Sequence, residues 1–192
     1  MNVEIIQMGG KDQIIISILE MCRRTIPDLK ADGNFTRLMK KLIRDRSFVL
    51  RFYSINFLVT APLFVYYDLK EFLSYKINML PINIDTVGNF ESSNKFTELE
   101  DAAIVSIYKK IKSISSTMDN SKLLHILPMC SHVKFYMILS ILDIYEILSK
   151  LLTNQNYNYK MKELATEILK KLHENEPDIF NEELLKIYQA RS

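Results

Sequence analysis

The residues best able to do chemistry are His125, Cys130 and His132, which lie close together around Pro128 and Met129. A thiolate beside imidazoles can ligate zinc or, with one imidazole as base, attack a carbonyl. Zinc needs three or four converging ligands, and no second Cys or His pair stands at ligand spacing. The remaining Cys22 has no histidine near it in sequence, and His173 reads as a cation at a helix C-terminus. Free cysteine is more often buried and inert than reactive. The reading is therefore no metal, no cofactor and no catalytic residue. Phosphate-loop, dinucleotide-loop, nucleophile-elbow and H-E-x-x-H patterns do not occur. Carboxylates at Glu98, Glu100 and Asp101 and at Glu182 and Glu183 fall near expected helix starts, where the helix dipole favours them.

Binding chemistry is easier to find. Arg37, Lys40, Lys41, Arg44 and Arg51 project from adjoining sides of one expected helix, with Arg46 nearby and Asp45 opposing them. Such a face can meet phosphates or an acidic peptide. Tyr157 and Tyr159, in an expected polar loop, are candidate contacts for a partner, since aromatics dominate binding hot spots.

The elements that must carry these residues follow from composition and period. With 48% hydrophobic and 25% charged residues, the 192-residue chain can build a core. Only 4 Gly and 5 Pro punctuate it, which favours helices over a turn-rich β-fold. The opening residues 1–8 suit either a strand or a frayed helix. Ile14, Ile15, Ile18, Leu19 and Cys22 predict a first helix after Asp12, stopped by Pro27. Phe35, Leu38, Leu42, Val49, Phe52 and Ile55 predict a long second one, ending at Thr60-Ala61-Pro62. The β-branched and aromatic density of residues 48–67 also suits a strand.

A third helix is expected from Pro62, with Val65, Leu69, Phe72 and Leu73 inward. Residues 79–95 read as the longest loop. Phe96, Leu99, Ala103, Ile107, Ile111 and Ile114 then mark an amphipathic helix. Asp119 heads a short piece that ends at Pro128, and Val133 to Leu152 predicts a central helix apolar on nearly every side. Two further helices follow, around Met161 to Leu172 and after Asp178.

The expected fold is all-α: a single compact bundle, or a short HEAT- or armadillo-like stack, of about seven helices. Residues 1–78 form its N-terminal part, 79–95 a loop and 96–192 its C-terminal bundle.

Residues 96–173 resemble the helical bundle of the transcription-elongation-factor TFIIS N-terminal family, through Ile104 to Ile111 and the closing Glu163 to Leu172. Its Trp-bearing end has no counterpart, because the chain has no Trp. Viral regulators with a Bcl-2-like bundle are similar in general plan. Neither resemblance carries a residue across.

Residues 1–60 hold 10 Lys and Arg against 6 Asp and Glu, and the remainder 15 against 17, so the basic excess is confined to the first third. Two cysteines cannot make a disulfide framework, and no signal peptide opens the chain, which points to a cytoplasmic or nuclear location. The stretch 48–67 is interrupted by Arg51, Asn56 and Pro62, so no membrane insertion is expected. The expected function is a non-enzymatic protein-interaction module or regulatory subunit with a protein partner and no small-molecule substrate. A nucleic-acid-associated factor using the basic helix, and a cysteine-dependent enzyme, are the alternatives.

Overall fold

The computed structural model describes residues 1–22, 34–81, 98–115, 126–127, 129, 131–153 and 158–190. The chain is not all-α. In order it forms β1 (Asn2–Gly9), α1 (Lys11–Cys22), α2 (Asn34–Arg44), a 3-10 turn (Phe48–Arg51), β2 (Ser54–Pro62) and α3 (Leu63–Leu73). A second 3-10 turn (Ser74–Lys76), β3 (Ile77–Met79), α4 (Glu98–Ser115), β4 (His132–Ser140), α5 (Ile141–Thr153), α6 (Tyr159–Asn175) and α7 (Glu182–Gln189) follow. The strands make one antiparallel sheet in the order β1-β2-β4-β3.

The two long helices expected from the sequence are each a helix joined to a strand. The second stops at Arg44 without glycine or proline. Arg46 takes a left-handed backbone with φ of 48°. The Ser47 amide donates to the Leu42 carbonyl at 2.9 Å and the Arg46 amide to Ile43 at 3.1 Å. This pair of bonds is a Schellman closure, usually reserved for glycine because a Cβ disfavours positive φ. The chain then extends into β2, where Ile55, Phe57, Val59 and Ala61 are buried in strict alternation. Period two, not 3.6, governs this stretch.

The supposed central helix, Val133 to Leu152, divides at Ser140. Before it, Val133, Phe135, Met137 and Leu139 are buried while Lys134, Tyr136 and Ile138 are exposed, the pattern of a strand with one covered face. At Ser140 a reciprocal cap starts α5. The Asp143 carboxylate accepts from the Ser140 amide at 3.0 Å and from its hydroxyl at 2.7 Å, and the Asp143 amide donates back to Ser140 Oγ at 3.3 Å. This is a capping box with Asp in the acidic position. A strand at 132–140 is incompatible with the resemblance of residues 96–173 to a purely helical bundle.

The chain divides into two interleaved units, residues 1–2 with 58–136 and residues 3–57 with 137–192; the boundary falls within β2 and β4. In the first unit, Val65, Tyr66, Leu69 and Leu73 of α3 are buried with Val133 and Phe135. Tyr66 and Phe135 meet at 5.4 Å between ring centroids. The Leu63 amide donates to Ser131 at 2.8 Å, which ties the start of α3 to the residue entering β4. Phe72, expected inward, is 37% exposed. In α4, Ile111 is buried, but Ala103 and Ile107 of the expected inward stripe are exposed.

In the second unit, α5 packs on α6, and α7 packs on both α2 and α5. Tyr145, Phe180 and Tyr188 stack at its centre, 5.6 and 5.9 Å apart. Gly10, between β1 and α1, has φ of +101°, and a Cβ there would lie 1.9 Å from the Phe52 carbonyl oxygen. Only glycine permits both that backbone and that approach. Asn158 and Asn181 cap α6 and α7 by accepting from the Lys160 and Leu184 amides. The short piece expected after Asp119, and nearly all of the loop at 79–95, lie outside the described residues.

Candidate functional site

The basic residues of α2 share one face, because Arg37, Lys41 and Arg44 recur at i, i+4 and i+7. Met39, Leu42 and Ile43, buried on the opposite side, orient them outward. Lys40 is engaged by Glu183 of α7 at 2.6 Å, and Arg44 Nε lies 3.2 Å from Asp45. Arg37, Lys41 and Arg51 make no ion pair among the described residues. Arg51 sits on the 3-10 turn, which packs against α1, α2 and α5 through buried Val49 and Leu50.

Two exposed rings flank the same turn, one of which the helical stripe would have placed inward. Phe52, expected inward on a helical stripe, is 49% exposed, and Phe48 is 64% exposed. They contact edge to face at 5.9 Å. A helix through this region would have sent Phe52 to the core with Val49; instead the 3-10 turn ends at Arg51, and Phe52, the residue after it, is left outward as the chain leaves for β2. Two open aromatic rings with an arginine between them in sequence can stack on a planar heterocycle and neutralise an attached phosphate.

The remaining expected residues lie elsewhere. Tyr159 heads α6 and is half exposed, with the Lys160 ammonium 5.2 Å from its ring centre. Tyr157, His125 and Cys130 lie outside the described residues, as does the Cys22 side chain. His132 begins β4. Among the described residues no three His, Cys, Asp or Glu side chains stand together as a metal site would require.

A charged cluster that sequence separation concealed joins Lys11, Tyr53 and Glu176. The Glu176 carboxylate accepts from Lys11 Nζ at 2.6 Å and from the Tyr53 hydroxyl at 3.4 Å. Tyr53 is buried, and that burial first, then the negative charge of Glu176, pushes its hydroxyl pKa well above the ordinary tyrosine value. The cluster ties the start of α1 and the entry to β2 to the turn after α6. On α3, the half-buried Asp68 is also raised, by burial and by its neighbour Glu71.

A cavity of about 590 Å³ opens between α6 and α7, lined by Leu169, Lys170 and His173 on one side and Asn181, Glu182 and Glu183 on the other. Two carboxylates make it unsuited to a phosphate. No helix among the described residues is long and apolar enough to cross a membrane.

No family model matches the chain, and no curated protein matches it in sequence. Its fold, however, matches a crystal structure of thymidylate synthase X from Helicobacter pylori with FAD and dUMP at a TM-score of 0.72 and 14% identity. That match covers 97% of this chain and 100% of the other. A second structure, of flavin-dependent thymidylate synthase from the same organism complexed with FAD and dUMP, matches at 0.68 and 12% identity, covering 94% and 98%. These likenesses establish a shared mixed α/β fold. They also overturn the reading as a non-enzymatic scaffold or regulatory subunit with no small-molecule substrate, since that reading rested on an all-α bundle and the neighbours are an enzyme that binds two small molecules.

Proposed function

We propose that this chain is a nucleotide-binding enzyme built on the flavin-dependent thymidylate synthase fold, with FAD and dUMP as the first ligands to test. The observation that carries the reading is the two-way coverage: almost every residue of each chain has a counterpart in the other. A shared fold alone does not transfer an activity, so the residues must fit the ligands as well. Phe48 and Phe52 offer ring faces for a flavin or a uracil, and Arg51, Arg37 and Lys41 offer charge for phosphate. A flavin, when bound, supplies hydride and electron transfer, and the part of these residues is to hold and orient it.

Titration calorimetry of the purified full chain with FAD and with dUMP tests the reading. Saturable binding of either at or below about 1 mM is expected, in the ordinary range for enzyme ligands. Arg51→Ala and Phe52→Ala should each weaken it about tenfold, the equivalent of one charge-assisted or stacking contact. Absence of visible flavin absorbance in the purified protein, together with no binding of either ligand at that concentration, overturns the proposal.

A further inference from the structure

We infer that the cavity between α6 and α7 is a second small-molecule site, distinct from the aromatic and basic surface and complementary to a small amino-carboxylate such as a free amino acid. Most of its polar lining is already committed to the fold. Asn181 Oδ1 accepts from the Leu184 amide at 3.0 Å and its Nδ2 donates to the Pro177 carbonyl at 2.9 Å. Glu183 is neutralised by Lys40 at 2.6 Å. The Thr166 hydroxyl, also in the lining, donates to the Lys162 carbonyl at 2.8 Å, which leaves the Lys170 ammonium, the Glu182 carboxylate and the His173 ring.

The histidine is fixed rather than free to rotate. Its Nδ1 lies 2.8 Å from the Phe180 carbonyl oxygen, and Phe180 is fully buried. A carbonyl only accepts, so Nδ1 is the donor, and it is Nε2 that faces a ligand, as an acceptor in the corresponding neutral tautomer. Lys170 and Glu182 make no ion pair among the described residues, although both line the same cavity. The wall thus presents one cation, one anion and one oriented acceptor beside the apolar Leu169. A ligand bearing a carboxylate and an ammonium on one carbon, with an apolar side chain, satisfies all of them. A nucleotide does not, because its phosphate would meet Glu182.

The probe is L-leucine, titrated into the full-length protein while the imidazole resonances of the three histidines are followed by NMR. A ligand of this size on a rigid open site should saturate at about 1–10 mM. The His173 signals should move saturably with leucine and not with acetate or methylammonium over the same range. Lys170→Ala and Glu182→Ala, both surface changes, should each weaken binding at least about tenfold. No saturable shift up to about 50 mM, well beyond that expected range, overturns the inference. So does unchanged binding in both variants, or a His173 shift produced by dUMP rather than leucine. FAD and dUMP titrations of the same variants keep the two sites apart, because neither substitution touches the surface formed by Phe48, Arg51 and Phe52.

Discussion

Tyr145→Phe isolates one buried hydroxyl in the centre of the second unit. The tyrosine is 1% exposed, and its hydroxyl donates to the Ile179 carbonyl. Its ring stacks on Phe180 and Tyr188, and phenylalanine preserves those contacts. What is lost is the hydrogen bond, and what remains is an Ile179 carbonyl in a residue 1% exposed. A net hydrogen bond stabilises by about 1 kcal/mol, and an abandoned buried acceptor raises the expected loss to about 1–3 kcal/mol. For a chain of this size each kcal/mol shifts Tm by about 2–4 °C.

The pH dependence has a definite sign. Burial raises the Tyr145 pKa above its unfolded value, so the neutral form is the one the fold favours. That contribution is fully present below about pH 10 and is lost as pH rises further, because the unfolded chain ionises first. At about pH 11 the parent should have lost about 1.4 kcal/mol that the variant never had. Tyr53 is raised too but is common to both proteins and cancels. Urea unfolding followed by circular dichroism at pH 7 and pH 11 measures both quantities. A difference below about 0.5 kcal/mol at pH 7, or one that does not shrink at alkaline pH, refutes the reasoning.

Two further substitutions test the backbone. Gly10→Ala places a methyl 1.9 Å from the Phe52 carbonyl oxygen at a φ of +101°, and neither backbone can yield without breaking the β1–α1 connection. A loss of more than about 3 kcal/mol is expected, and a melting temperature near that of the parent would contradict it. Met137→Lys and Ile138→Lys test the strand between Val133 and Ser140, since Met137 is fully buried and Ile138 is 54% exposed. The first should prevent stable folding by burying an unpaired ammonium. The second should change the urea midpoint by the equivalent of less than about 1 kcal/mol. Equal effects at the two positions would rule out a strand.

Much of the helical content was legible in the residues. The stripes of α6 and α7 follow a 3.6-residue period, with Met161, Leu164, Ala165, Ile168 and Leu172 buried on one and Leu184, Leu185 and Tyr188 on the other, although α7 begins at Glu182 under an Asn181 cap rather than directly after Asp178. The outward face of α2 was legible for the same reason, and Arg37, Lys41 and Arg44 do share it. The capping box at Ser140 and Asp143 was also present in the sequence, but it was overlooked where apolar residues on both sides let a helical period run through it. In β4 two of the three exposed positions, Tyr136 and Ile138, are themselves apolar or aromatic, so the alternation between polar and apolar residues that marks a strand is largely erased. At Arg46 a non-glycine residue adopts a backbone that glycine ordinarily supplies, so no local signal marks the end of α2.

The amino-acid sequence by itself determined which segments could be helical and which side chains carry charge. Tertiary structure alone decided that Ile55 to Ala61 and Val133 to Leu139 pair as strands, because a ladder's hydrogen bonds are made between segments about 75 residues apart in sequence and nothing local encodes the partner. It alone turned Phe48 and Phe52 outward beside Arg51, and brought Lys11 within 2.6 Å of Glu176, 165 residues away. Periodicity reports the face a residue presents, and only the fold fixes what that face meets.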